Sequence, residues 1–223
     1  MKRYAAIIIS IFLMVTVFSL TCNSEENRKS NKNSNNRDKT MSSELSTSKP
    51  GSSKSYNDKT GNVLVVYYSL TGNTRKVANT IKEMTKGDTF VIQPEYDYLK
   101  VKSRTEVEEI GKKQVEEGYK PKLKNSVSDI KAYDLIIIGS PVWWFSVSPP
   151  VMSFLSQYDL KGKKVVPFCT CVSAYGNFFT QFRNAIPDAE VLNGLVVTES
   201  ELNDEGNLKR KIETWLKEIR KSN

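Results

Sequence analysis

With 223 residues, a net charge of +8 and no histidine, the chain is long enough for one medium domain with a substantial core. The lack of histidine argues against His-based metal sites and against Ser-His-Asp or Cys-His catalytic pairs. The positive balance is spread thinly, with 23 basic against 20 acidic residues from Thr60 onward. That is no nucleic-acid signature, and no nucleic-acid-binding motif accompanies it.

Residues 1–22 begin with Lys2 and Arg3, continue through the apolar run "YAAIIISIFLMVTVFSL", and end at Thr21-Cys22. A basic start before an apolar stretch is the physical form of a secretion signal. The stretch is also just long enough to span a bilayer as an uncleaved anchor. "FSLTC" resembles the lipobox of bacterial lipoprotein signals, which implies lipidation of Cys22. Stable anchoring needs two or more acyl chains, as such a lipoprotein carries. Both readings place the remainder of the chain on the outer, extracytoplasmic face of a membrane. Residues 23–59 are dominated by Ser, Asn and Lys. Such a segment buries too little surface to offset its ordering entropy, so a disordered tether is expected there. Its basic balance suits the surface of anionic lipid.

From residue 60 to 223 the pattern is that of one domain. "NVLVVYY" (62–68) is a short β-rich run, continuous in apolar residues, as expected of a strand buried on both faces in a parallel sheet. A helix follows from Asn73 or Thr74, with Val77, Ala78, Ile81 and Met84 at helical spacing and Gly87 closing it. "DTFVIQP" (88–94) is a second strand. Residues 104–117 form a polar helical stretch, either lying on the sheet or inserted beside a site. "DLIIIGSPVWW" (134–144) opens with a third strand. Pro149 and Pro150 start a helix. "KKVVPFCT" (163–170) is a fourth strand despite Pro167. "NFFTQFRNAI" (177–186) is a helix, "AEVLNGLVV" (189–197) a fifth strand, and 207–220 an amphipathic helix. Strands alternating with helices predict a doubly wound α/β domain with a parallel sheet.

In such sheets, ligands bind beyond the carboxyl ends of the strands, where the strand order reverses. The loops to inspect are therefore "SLTGNT", "SPVWWFSVSPP" and "TCVSAYGN". The first joins a strand to a helix N-terminus and carries hydroxyls, an amide and Gly72. That suits a phosphate held by neutral donors, and equally suits simple helix capping. It contains no Lys and matches neither GxxxxGK[ST] nor GxGxxG. The second offers adjacent tryptophans as flat stacking surfaces. Cys169 and Cys171 read as a buried thiol and a loop-end thiol. A disulfide across one residue is strained, and two thiols without histidine make no structural zinc site.

Three stretches, "VVYYSLTGNTRKVA" (65–78), "YDLIIIGSPVWW" (133–144) and "GKKVVPFCT" (162–170), together resemble the flavodoxin family, over essentially all of 61–220. The resemblance implies a five-stranded parallel sheet in the order 2-1-3-4-5 and an FMN cofactor. It implies that Ser69, Thr71, Gly72, Asn73 and Thr74 hold the phosphate. Pro141, Val142, Trp143 and Trp144 would line the isoalloxazine, with Thr170, Cys171, Tyr175 and Gly176 on the other side. The third loop is bulkier than the glycine-rich stretch usual in that group. No side chain is expected to act as acid, base or nucleophile, because the flavin carries the redox chemistry. The expected role is electron carriage between redox partner proteins or small acceptors. An FMN-dependent NAD(P)H reductase of quinones is the alternative, and a flavin-free binding module a third reading.

Overall fold

The computed structural model describes residues 62–101 and 103–221. The expected signal or anchor, with Cys22, and the expected tether lie outside the described residues. Strand β1 (Val63–Tyr67) is buried along its whole length. It pairs in parallel with β2 (Asp88–Val91) on one side and β3 (Leu135–Trp143) on the other. A short β4 (Ser146–Val147) folds back antiparallel onto the end of β3, and β3 also pairs in parallel with β5 (Lys164–Cys171). β6 (Glu190–Val191) and β7 (Leu195–Thr198) both pair with β5 in parallel. The core is thus the expected five-strand order, with its fifth strand in two pieces.

Pro167 accounts for that break. Lys163 O accepts from Glu190 N and Val165 O from Leu192 N, so the odd-numbered residues of β5 turn their backbone groups toward the fifth strand. The next rung falls on Pro167, which has no N–H to donate. The chain leaves the ladder at Leu192–Gly194 and rejoins at Leu195, opposite Phe168. The Trp215 indole N–H, donating to Asn193 O at 2.9 Å, fastens the excursion.

Alternation along β1 and β3 sends side chains to two cores. One holds Val63, Val65, Ile137, Val166 and Phe168 under α1 (Asn73–Thr85) and the C-terminal helix α6 (Glu205–Lys221). The other holds Leu64, Val66, Ile136, Ile138 and Cys169 under α3 (Pro149–Gln157) and α4 (Phe178–Ala185). The polar stretch after β2 is α2 (Arg104–Glu116), capped by the Ser103 hydroxyl, which accepts from Glu106 N at 3.2 Å. A short helix after β7, α5 (Glu199–Leu202), is opened by a capping box at Thr198 and Glu201. Among the described residues no helix is long and apolar enough to cross a membrane.

Candidate functional site

The strand order turns back between β1 and β3, so the loops after β1, β3 and β5 meet at one end of the sheet. Capping does not explain the first loop. Helix α1 has Gly72 at its N-cap position with φ 99°, and among the described residues no side chain caps its first-turn amides. The Ser69 hydroxyl accepts from Gly72 N at 3.1 Å. The Thr74 hydroxyl turns inward to the Thr170 hydroxyl at 2.8 Å, in a buried pair. The helix ladder begins with Lys76 N donating to Gly72 O. The amides of Asn73, Thr74 and Arg75 are therefore left without a protein acceptor among the described residues. Unsatisfied amides at the positive end of a helix dipole form an anion site.

The loop is not the purely neutral donor set expected from its sequence, because the Arg75 guanidinium folds back over it. Its Nη2 stands 3.3 Å from where a Cβ on Gly72 would be.

The Thr74–Thr170 pair ties the first loop to the end of β5, and it is the buried hydroxyls' partnership that fixes their spacing. Changing Thr74 to valine strands the Thr170 hydroxyl in a site that is 5% exposed, at an expected cost of about 1–3 kcal/mol. The Thr74→Val/Thr170→Val double variant should recover part of that loss. A double-mutant cycle from urea unfolding measures the coupling.

The second loop is a tight hairpin. Val142 pairs with Val147 and Trp143 with Ser146, leaving Trp144 and Phe145 as the two turn residues. Both have positive φ, 46° and 60°, in a turn that ordinarily takes Asn-Gly. Its base is held by the buried Ser140 hydroxyl, 2.9 Å from the Ser148 hydroxyl and accepting from Ser148 N at 3.1 Å. The two tryptophans differ in environment. Trp143 meets Tyr98 edge-on at 4.9 Å and Tyr68 at 5.8 Å. Gly111 of α2 packs beside its ring, where even a Cβ would stand at ordinary contact distance, 3.4 Å from Trp143 Cε3. Trp144 is 49% exposed, with Lys112 Nζ 4.6 Å from its ring centroid, in cation–π range.

Between the hairpin, the third loop and α2 lies a cleft of about 350 Å³, within the range of small-molecule sites. Val142, Trp143 and Trp144 line one side and Cys171 the other. Phe145, residues 172–174 and, from α2, Val107, Glu108, Gly111 and Lys112 complete the lining. Phe145 was legible from its place in the loop. The α2 residues carried no signal beyond the suggestion of an insertion beside the site.

Tyr175 and Gly176 do not face the cleft. Tyr175 meets Phe179 edge-on at 5.3 Å. Gly176, at φ 54°, packs against the Phe145 backbone, and Asn177 N donates to Phe145 O at 3.0 Å. Both cysteines are free, Cys169 buried and Cys171 half-buried, as the sequence suggested. Burial pushes both thiols above their ordinary range, so both are protonated at neutral pH.

A parallel five-strand order with its loops meeting at the switch point and helices on both faces defines a doubly wound α/β flavodoxin-like fold. The sequence model of the flavodoxin family matches residues 62–219, and the chain belongs to that family. Among solved structures, a candidate flavoprotein from Bacteroides eggerthii is 27% identical, covering 71% of this chain and 97% of that one, with a TM-score of 0.59. A second, from Bacteroides uniformis, is 25% identical over 70% of this chain and 98% of that one, also at 0.59. A flavoprotein from Lactobacillus acidophilus, solved in complex with FMN, shares the fold at 22% identity and a TM-score of 0.56, covering 66% and 99%. No curated protein sequence matches significantly.

Proposed function

We propose that this chain is an FMN-binding electron-transfer protein tethered to the outer face of a membrane. The observation that carries the reading is the start of α1. Ser69 and Thr74 bond away from the helix start and leave the amides of Asn73, Thr74 and Arg75 without acceptors among the described residues. The residues present fit FMN. Those amides, with the Ser69 and Thr71 hydroxyls, would hold the phosphate, and Gly72 lets the backbone come close. Val142, Trp143 and Trp144 would form one wall for the ring system, and Cys171 to Ala174 the other, while Pro141 is not in the cleft lining and pairs with Thr170 in the sheet. Thr170 positions Thr74, while Tyr175 and Gly176 shape the third loop from behind.

When bound, FMN supplies the redox chemistry, and the protein supplies binding, orientation and polarity. The cleft wall is mostly apolar, and would cover part of the ring against water. Lys112 and Glu108 bring one charge of each sign to its α2 side. Support for a tight ligand site also comes from the hairpin. Non-glycine residues at positive φ cost about 1–3 kcal/mol each and cluster at functional sites. A Phe145→Gly variant should therefore be about 1 kcal/mol more stable in thermal melts yet bind FMN less well.

Stepwise potentiometric reduction of the FMN-loaded protein tests the role. Two separated one-electron steps are expected of a carrier serving redox partner proteins or small acceptors. A single two-electron step with steady NAD(P)H oxidation would instead support an FMN-dependent reductase of quinones. Failure to bind any flavin would leave a flavin-free binding module.

The tethering rests on residues 1–59 of the sequence. Lipid on Cys22 and a basic, Ser/Asn-rich segment of 37 residues would hold the domain near the bilayer while letting it reach partners. Labelling with a palmitate analogue in a bacterial host should mark the wild-type chain and be lost in Cys22→Ser. Retained membrane association without label would support the uncleaved helix.

A further inference from the structure

We propose that Arg75 is the residue that selects a phosphorylated flavin over an uncharged one, by pairing with the dianionic phosphate monoester above the start of α1. The inference rests on the FMN reading of the site and adds to it a specific charge. A cation in the first turn of a helix is repelled by the positive end of the helix dipole. Here Arg75 is the third residue of α1, and no acidic residue stands in the first turn to offset it.

Its neighbour shows what a compensated cation looks like. Lys76 Nζ donates to Leu202 O at 2.9 Å and pairs with Glu205 at 3.1 Å. Arg75 forms no ion pair with a carboxylate among the described residues. Arg75 is exposed, and its guanidinium lies back beside Gly72. A Cβ on Gly72 would stand 3.3 Å from Nη2, so the guanidinium sits in close contact with the backbone of the loop. Three free amides, the dipole and an unpaired guanidinium thus converge as uncompensated positive charge on one loop. A phosphate monoester, with its second ionisation near pH ~6, answers all three. The planar guanidinium fork suits its oxygens better than an ammonium would.

The test uses the purified full-length chain in detergent, titrated with FMN and with riboflavin by flavin-fluorescence quenching. Wild type, Arg75→Gln and Arg75→Lys are compared at several salt concentrations and between pH 5 and 8. Arg75→Gln should lose ~10- to 100-fold in FMN affinity while riboflavin affinity stays within about twofold, the remainder of the site being intact. The wild-type preference for FMN should grow as pH rises through the second phosphate ionisation. It should weaken with added salt, and both dependences should shrink in Arg75→Gln. Arg75→Lys should fall between the two. An unchanged FMN-to-riboflavin ratio in Arg75→Gln overturns the inference while leaving the flavin reading intact. Equal loss of both flavins overturns it too, by giving Arg75 a purely structural role. Wild-type protein that binds neither flavin overturns the FMN reading and this inference with it.

Discussion

Replacing Gly176 with valine should destabilise the domain by about 2–5 kcal/mol and abolish FMN binding. The magnitude combines two terms. A left-handed backbone costs a non-glycine residue about 1–2 kcal/mol, and overpacking a tight contact adds about 1–3 kcal/mol. Gly176 has φ 54°, and a Cβ there would stand 2.4 Å from Phe145 Cβ and 2.7 Å from Phe145 O. The second of these atoms is backbone and cannot rotate away. Relief requires pulling the third loop off the hairpin, which breaks the Asn177–Phe145 bond and opens the cleft between them. Urea unfolding of the flavin-free protein reads the first effect, and FMN titration the second. A variant with wild-type stability and affinity would show that the two loops do not depend on each other.

The tryptophans should separate cleanly. Trp143→Ala should cost about 3–5 kcal/mol of stability, as for a large aromatic removed from a packed site. Its ring fills the space between Tyr68, Tyr98 and Gly111. Those phenols are held protonated far above their ordinary range by burial, so no charge there would compensate the lost packing. Trp144→Ala should instead leave stability within about 0.5 kcal/mol, because its ring is half exposed at a hairpin tip. It should weaken FMN by about 1–3 kcal/mol, the scale of aromatic stacking on a planar ring. Paired melts and titrations of both variants decide the assignment. Equal binding losses at equal stability would put both rings against the flavin.

Much of the fold was legible because its signals are local. β1, β3 and β5 are continuous apolar runs, and only a sheet covered on both faces accepts these. The Pro149-Pro150 pair opens α3 where the chemistry of caps puts proline, but at the end of α1 it is Lys86, at φ 58°, and not the expected Gly87 that takes the left-handed turn, while Gly87 lets the chain pass close to Val63 O. The break in the fifth strand was not legible in residues 189–197, since its cause lies in Pro167 on the neighbouring strand. The candidate cleft was readable only in part, since Pro141, Tyr175 and Gly176 are not in its lining and the α2 residues are. Loop positions followed from topology, and the tryptophan pair from its residue types. Which tryptophan turns inward was decided by Tyr98 and Tyr68, far away in sequence. The division of labour among Ser69, Gly72 and Thr74 depended on Thr170, a contact across 96 residues. The return of Arg75 over Gly72 depended on a side-chain rotamer that no spacing encodes.

On the proposed reading, the open start of α1 would receive the phosphate of FMN and the cleft its ring. Backbone amide chemical shifts during titration with FMN and with riboflavin test it most directly. FMN should shift the amides of Asn73, Thr74 and Arg75 together with those of Trp143, Trp144 and Cys171 to Ala174. Riboflavin, lacking the phosphate, should shift only the cleft group. FMN binding that leaves Asn73, Thr74 and Arg75 unmoved would contradict the account.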